Sequence, residues 1–313
     1  MRRQLPACRG TVSSTRSKAR RTQILGHSRL EEILIGSLLN LLFYGALVVQ
    51  VYIYSACFHA DSRILKCIVY LIFLAMTVCV ALNCCDVHRW FATGFGDPSF
   101  LALPPGNAPF YGVVMSATIG TVVRCLFCAR IFVIKRTAWP VALLLALFSV
   151  SQCALGVASG IHVYVSAPEQ WQDRFNLLFP AWLAGSAIAD ILAALIMTYL
   201  LLSAAVHSST RDRINRIVWL IIETNSLSAM VAILAVALFF SVPRTSCFEA
   251  AMWNLAGIYA NTLLAVLNNR AISPRPASVD GGILDIAPSP CRWDIARVES
   301  VPEMTFARRQ SVL

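Results

Sequence analysis

Charge is scarce in this sequence. Asp, Glu, Lys and Arg make up 13% of its 313 residues against 58% hydrophobic, and the mean hydropathy is +0.67. A water-soluble domain of this length needs a charged surface, so the balance excludes one. Lysine is nearly missing: Lys18, Lys66 and Lys135 all lie in tails or near the ends of apolar runs. A retinal Schiff base needs a lysine deep in a helix, so opsin-like light sensing is excluded. HExxH, GxSxG and P-loop motifs are lacking, and GVASG (156–160) has its serine one place too late for a nucleophile elbow. The chain therefore reads as a non-enzyme that calls for no cofactor. No Asn-x-Ser/Thr sequon occurs, so N-glycosylation is not expected.

What the sequence does have is long apolar runs, at about 33–56, 64–84, 110–134, 139–166, 177–204, 216–241 and 248–268. Each approaches or exceeds the roughly 20 residues that cross a bilayer as a helix. They are continuous and lack the in/out alternation of barrel strands. The expected fold class is an all-α membrane protein, a seven-transmembrane-helix bundle. Residues 1–32 form a polar, basic N-terminal tail with no acid before Glu31. Its Arg- and Ser-rich composition also describes a mitochondrial transit peptide, but a disordered tail, or a start codon set too early, is the preferred reading. Residues 271–313 are rich in Pro, Ser and Arg and read as a disordered C-terminal tail.

The net charge of +10 sits mostly in the tails and short loops. That placement points to the lipid bilayer and its headgroups as the partner, and not to nucleic acid. With the N-terminus outside, the inner loops hold Arg63 and Lys66, then Lys135 and Arg136, then Arg211, Arg213 and Arg216, and Arg270 starts the tail. The outer loops hold only Arg89, Arg174 and Arg244. Three inner loops outweigh the basic N-terminal tail, so the expectation is N-terminus outside or luminal and C-terminus cytoplasmic, in the plasma membrane or an endomembrane.

NLLFYGALVVQVYIY (40–54) in the first helix, GFGDPSFL (94–101) in the second connection and AWLAGSAIADILAALIM (181–197) in the fifth resemble one family. It is a fungal, mainly basidiomycete, group of seven-helix membrane proteins catalogued as a domain of unknown function of the 6534 type. IIETNSLSAMVAILAVALF (221–239) and YANTLLAVLNNR (259–270) fit the same pattern, and the resemblance covers about 33–270. The family often carries an acid and a histidine where this chain reads LAMTVCVALNCCDVH (74–88), and glutamine at the position of Glu223. The resemblance implies a seven-helix fold and no particular activity. Likeness to G-protein-coupled receptors stops at helix count and orientation, since CARIFVIKR (128–136) has no acid–Arg pair and the last helix has no NPxxY.

Most of the eleven cysteines lie inside apolar runs, where cysteine behaves as a small hydrophobe. The one candidate bridge joins Cys247 to Cys84 or Cys85. CCDVH (84–88) offers metal-ligand residue types, but a structural zinc site needs a second ligand pair. It reads as a polar helix end, and no metal site is expected. CLFC (125–128) reads as small residues one turn apart. Near the C-terminus, ARRQSV (307–312) presents Ser311 to a basophilic kinase.

Two sets of polar residues stand out within the apolar runs. Asn254, Asn261 and Asn268 recur every seven residues on one face of the last helix. They serve either as packing contacts to a neighbouring helix or as the lining of a polar pathway. Asp190 lies on a row with Ser186, Ala194 and Thr198, beside the small face Ala181, Gly185, Ala189 and Ala193. A carboxylate there needs a partner. Arg124, on the row Ser116, Gly120, Arg124 and Cys128 in the third helix, is the expected one, with Glu223 and Asn225 completing the candidate intramembrane polar centre. The expected function is that of an uncharacterised multi-pass membrane protein, receptor-like or sensory. It would engage a small-molecule ligand or a cytoplasmic protein partner. The alternatives are a small-solute or ion transporter and a structural membrane component.

Overall fold

The computed structural model describes residues 9–59, 61–94, 106–134, 136–165, 178–205, 211–241 and 247–272. Nearly all of these are helical. Helix α1 is Arg9–Cys57 and α2 is Arg63–His88, which runs on through a π-helical turn, Arg89–Thr93. A second π-helical turn, Pro109–Val114, leads into α3, Met115–Ile134. There follow α4 (Trp139–Val165), α5 (Leu178–Ala205) and α6 (Arg211–Ser241). The last run is split at Asn254 into α7 (Cys247–Trp253) and α8 (Leu255–Ile272). From Arg9 the N-terminal basic segment continues the first helix. Most of the C-terminal tail, with Ser311, lies outside the described residues.

Among the described residues, six helices are long and apolar enough to cross a membrane: Glu31–Cys57, Arg63–Thr93, Pro109–Phe132, Arg136–Val165, Leu178–Leu200 and Phe248–Asn269. The chain is a multi-pass membrane protein by that measure. Within the sixth expected run, the described residues Asn225–Ser241 form a shorter apolar stretch of helix.

Successive helices pack side by side, and the last pair closes on the first, with α7 and α8 both against α1. Two spans are central. The one containing α8 is 78% buried and the one containing α3 61%, against 28% for those of α1, α2 and α4, whose remaining surface is apolar and suited to lipid. Without a hydrophobic driving force between helices in lipid, close backbone approach and polar contacts must hold them. Gly36 supplies one such approach: a Cβ there would stand 2.9 Å from the Ala250 Cα.

The asparagines of the last run supply the polar contacts. Asn254 Nδ2 donates to the Gly36 carbonyl at 3.3 Å, Asn261 Nδ2 to Phe43 at 2.9 Å and Asn268 Nδ2 to Gln50 at 2.8 Å. Both members advance by seven residues at each step, so α1 and α8 run parallel, and every rung fixes the same register. Asn40 adds a bond the other way, its Nδ2 donating to the Trp253 carbonyl at 2.9 Å.

This seam generates a paired prediction. Gly36→Ala forces Ala250 and its backbone aside and should destabilise the protein by about 1–3 kcal/mol. Gly45 has nothing within 4 Å of its would-be Cβ, so Gly45→Ala on the same helix should be neutral or stabilise by up to about 1 kcal/mol. Thermal unfolding of the two variants in one detergent measures the difference, and equal melting temperatures would refute the close-approach argument.

Candidate functional site

Helix α3 places Ser116, Gly120, Arg124 and Cys128 on one buried row. Gly120 makes room one turn before the arginine, for a Cβ there would lie 2.9 Å from Cε2 of the Tyr259 ring. Helix α5 buries Ser186, Gly185, Ala189, Asp190 and Ala193, although Ala181 at the start of the small-residue row is exposed. These two rows bring Arg124 and Asp190 together. Arg124 Nε donates to Asp190 Oδ1 at 2.8 Å, and the two side chains are only 2% and 1% exposed.

Two further side chains close the arrangement. Arg124 Nη2 donates to the Tyr259 hydroxyl at 2.8 Å, and that hydroxyl donates to Asp190 Oδ2 at 2.8 Å. Ser228 Oγ lies 2.9 Å from the same Oδ2 and 3.0 Å from the Asn225 carbonyl, so its one proton is shared between two acceptors. The Arg124 Cζ also stands 5.1 Å from the centroid of the Tyr259 ring, within cation–π range. A carboxylate at the centre of a spanning helix costs about 2.5–3.5 kcal/mol even on lenient insertion scales. Here the charges neutralise one another, and both carboxylate oxygens accept hydrogen bonds. The result is a ring of contacts linking α3, α5, α6 and α8.

Not every expected member belongs to it. Glu223 is exposed, which removes it from the centre. The reason is helical geometry: at about 100° per residue, Glu223 is turned roughly 200° from Asn225. Asn225 itself is buried, and its carbonyl is the group that meets Ser228. Tyr259 and Ser228 were not among the expected site residues. Ser228 follows Asn225 by one turn, and Tyr259 sits among the small and amide residues Gly257, Ala260 and Asn261, which were the available signals.

The remaining motifs disperse. Within CCDVH, Cys84, Cys85 and His88 are exposed while Asp86 is buried. Asp86 accepts from the Asn107 backbone N–H at Oδ2 and from Asn107 Nδ2 at Oδ1, each at 3.0 Å, so it clamps the start of the third span. Among the described residues no group of three or more His, Cys, Asp or Glu could hold a metal ion. Cys84 and Cys85 are free thiols, which overturns the candidate bridge to Cys247, whereas Cys57 is disulfide-bonded. Cys125 and Cys128 are free as well.

Residues 186–272 match the model of a family of unknown function (DUF6534). The matched stretch is under a third of the chain, yet it carries Asp190, Ser228 and Tyr259, leaving Arg124 outside. No curated protein and no solved structure matches the chain.

The ring yields a stability prediction. Removing one charge, by Arg124→Ala or Asp190→Ala, leaves the other buried and should cost about 3–5 kcal/mol. Tyr259→Phe deletes a bridging hydroxyl and should cost about 1–3 kcal/mol. The exchange Arg124→Asp with Asp190→Arg keeps the pair and should recover much of what Arg124→Asp or Asp190→Arg alone destroys. Melting temperatures in detergent test the set, and an exchange variant no more stable than either single one would show that the two charges do not depend on each other.

Proposed function

We propose that this is a seven-span, receptor-like or sensory membrane protein in which the Arg124–Asp190–Tyr259–Ser228 ring holds four helices in one arrangement. A change in that arrangement is the signal passed to the inner loops. The closed ring is the observation that supports this reading. Both Asp190 oxygens and two nitrogens of Arg124 are engaged within the protein, so a permeating solute would first have to displace them. An interhelical lock of this kind has two discrete conditions, made and broken, and such bistability is what a switch requires. The parallel course of α1 and α8 supports seven crossings, because five long helices, α2 to α6, lie between α1 and the last run, α7 with α8. On this reading α6 completes its passage by letting Glu223 reach the interface.

Transport of a small solute or ion is the second reading, supported by the mere presence of intramembrane charges. Purified protein in sealed vesicles, screened with amino acids, sugars and monovalent ions, separates the two. Solute uptake that saturates and is lost in Asp190→Asn would overturn the receptor-like reading, and no flux above that of empty vesicles is expected.

For sidedness, the basic loops support a cytoplasmic C-terminus and an N-terminus outside. The disulfide at Cys57 favours the reverse, since α1 would end at the reducing face. Terminal tags probed with protease on intact cells decide between them. The expected result is a cleaved N-terminal tag and a protected C-terminal one, and the opposite pattern would invert the topology.

A further inference from the structure

Beside the π-helical turn Pro109–Val114 lies a cavity of about 300 Å³, lined by Asn107, Phe110, Val114, Gly160, Ile161 and Tyr164. It sits between the start of the third span and the end of α4, away from the Arg124–Asp190 ring. We propose that this cavity binds a lipid-soluble alcohol, a small molecule with an apolar body and one hydroxyl group, that reaches it from the bilayer.

Size, lining and the state of Asn107 carry the proposal. The volume falls at the small end of the range of ligand pockets, and such pockets pair an apolar wall with a few fixed polar groups. Phe110, Val114 and Ile161 form the apolar wall. None of the six lining side chains is charged, so an ionic ligand would lose its hydration without compensation. The polar residues of the lining are Tyr164 and Asn107. Asn107 is held rigidly, because its backbone N–H and Nδ2 grip the two oxygens of Asp86. That grip uses one of the two Nδ2 protons and leaves the other, with Oδ1, for a ligand. A hydroxyl both donates and accepts, and so suits that pair. Access is from the side, since Phe110, Ile161 and Tyr164 are 41%, 55% and 70% exposed and belong to spanning helices.

The cavity also has a mechanical connection. Phe110 and Val114 share their turn with Tyr111 and Gly112, whose other neighbours are in α7. The Tyr111 ring stands 5.9 Å from that of Trp253, and a Cβ on Gly112 would lie 2.7 Å from the Trp253 Cδ1. An occupant would press on the turn that leads into the helix bearing Arg124. The binding site itself stands whether or not the receptor-like reading holds.

The test uses the full chain in phosphatidylcholine vesicles with a diazirine derivative of octanol, photolysed and mapped by peptide mass spectrometry. Labelling should saturate and concentrate on Phe110, Ile161 and Tyr164. It should be competed by 1-octanol but far less by octane, and should fall by about tenfold or more in Ile161→Trp, the equivalent of roughly 1.4 kcal/mol of binding. Labelling that rises linearly with probe and spreads evenly to Leu143, Leu144 and Leu147 on α4 would mean that bulk lipid fills the cavity, overturning the proposal. Equal competition by octane would overturn the assignment of an alcohol. If Ile161→Trp does not fold, saturation and competition on the unaltered chain decide, with Val114→Phe as the second blocking variant.

Discussion

The arrangement of the inner helices depends on one ion pair in a medium that tolerates no unpaired charge. In water, the attraction of Arg124 for Asp190 would be worth little. In a bundle surrounded by hydrocarbon the comparison is with an isolated buried charge, so partnership becomes a condition for the fold. Two residues on different helices must then arrive at the same depth and face one another, which fixes both the rotation and the height of α3 against α5. Tyr259 and Ser228 extend the constraint to α8 and α6 by satisfying the lone pairs that the arginine leaves over. Four of the helices therefore cannot rotate independently.

A second constraint of a different kind acts on the opposite side of α8. The asparagine rungs to α1 are neutral, each amide donating a hydrogen bond to a backbone carbonyl, and such bonds in membranes contribute well under about 2 kcal/mol apiece. Their strength lies in repetition at a common seven-residue step, assisted by the contact at Gly36. Asn254 and Asn261 each bond in addition to a carbonyl of their own run, Ala250 at 2.7 Å and Gly257 at 2.8 Å, so the amides are aimed before α1 arrives. This favours the packing role for the asparagines over a polar pathway. Helix α8 is thus gripped by α1 on one face and by the charged ring on another, which explains why its span is the most buried of the candidates.

Much of this was legible because charge is rare in the sequence. Against an apolar background Arg124 and Asp190 are conspicuous, and the small residues four apart beside each reveal which way it points. The amide step of seven was visible for the same reason. Tyr259 was not, since an aromatic residue in an apolar helix ordinarily signals packing and its hydroxyl leaves no periodic trace. Glu223 falls outside the ring although its sequence position suits it, because an offset of two residues on a helix turns it to the face opposite Asn225. Asp86 was hidden by its neighbours: Cys84, Cys85 and His88 suggested a ligand cluster or a polar helix end, while the residue that packs inward finds its partner 21 positions away in Asn107. The split at Asn254 had no signal at all, for neither proline nor glycine stands there.

The irregular segments share a location that bears on how the bundle could move. Trp90 lies on the π-helical turn ending α2, Tyr111 on the one preceding α3, and Trp253 at the break between α7 and α8. The three side chains meet: Trp90 and Trp253 stack at 6.4 Å between centroids, and Tyr111 meets the edge of Trp253 at 5.9 Å. Departures from regular helix are costly to retain and recur where function is served. Regular helices resist bending along their length, so displacement of one is most easily taken up where its hydrogen-bond ladder is already altered. An aromatic cluster seated on three such segments can therefore shift with less loss than any layer below it. Two of those segments lead directly into α3 and α8, which carry Arg124 and Tyr259. A displacement at this end would therefore bear on the two helices that anchor the charged ring, the layer where helices must either stay in register or break their bonds together.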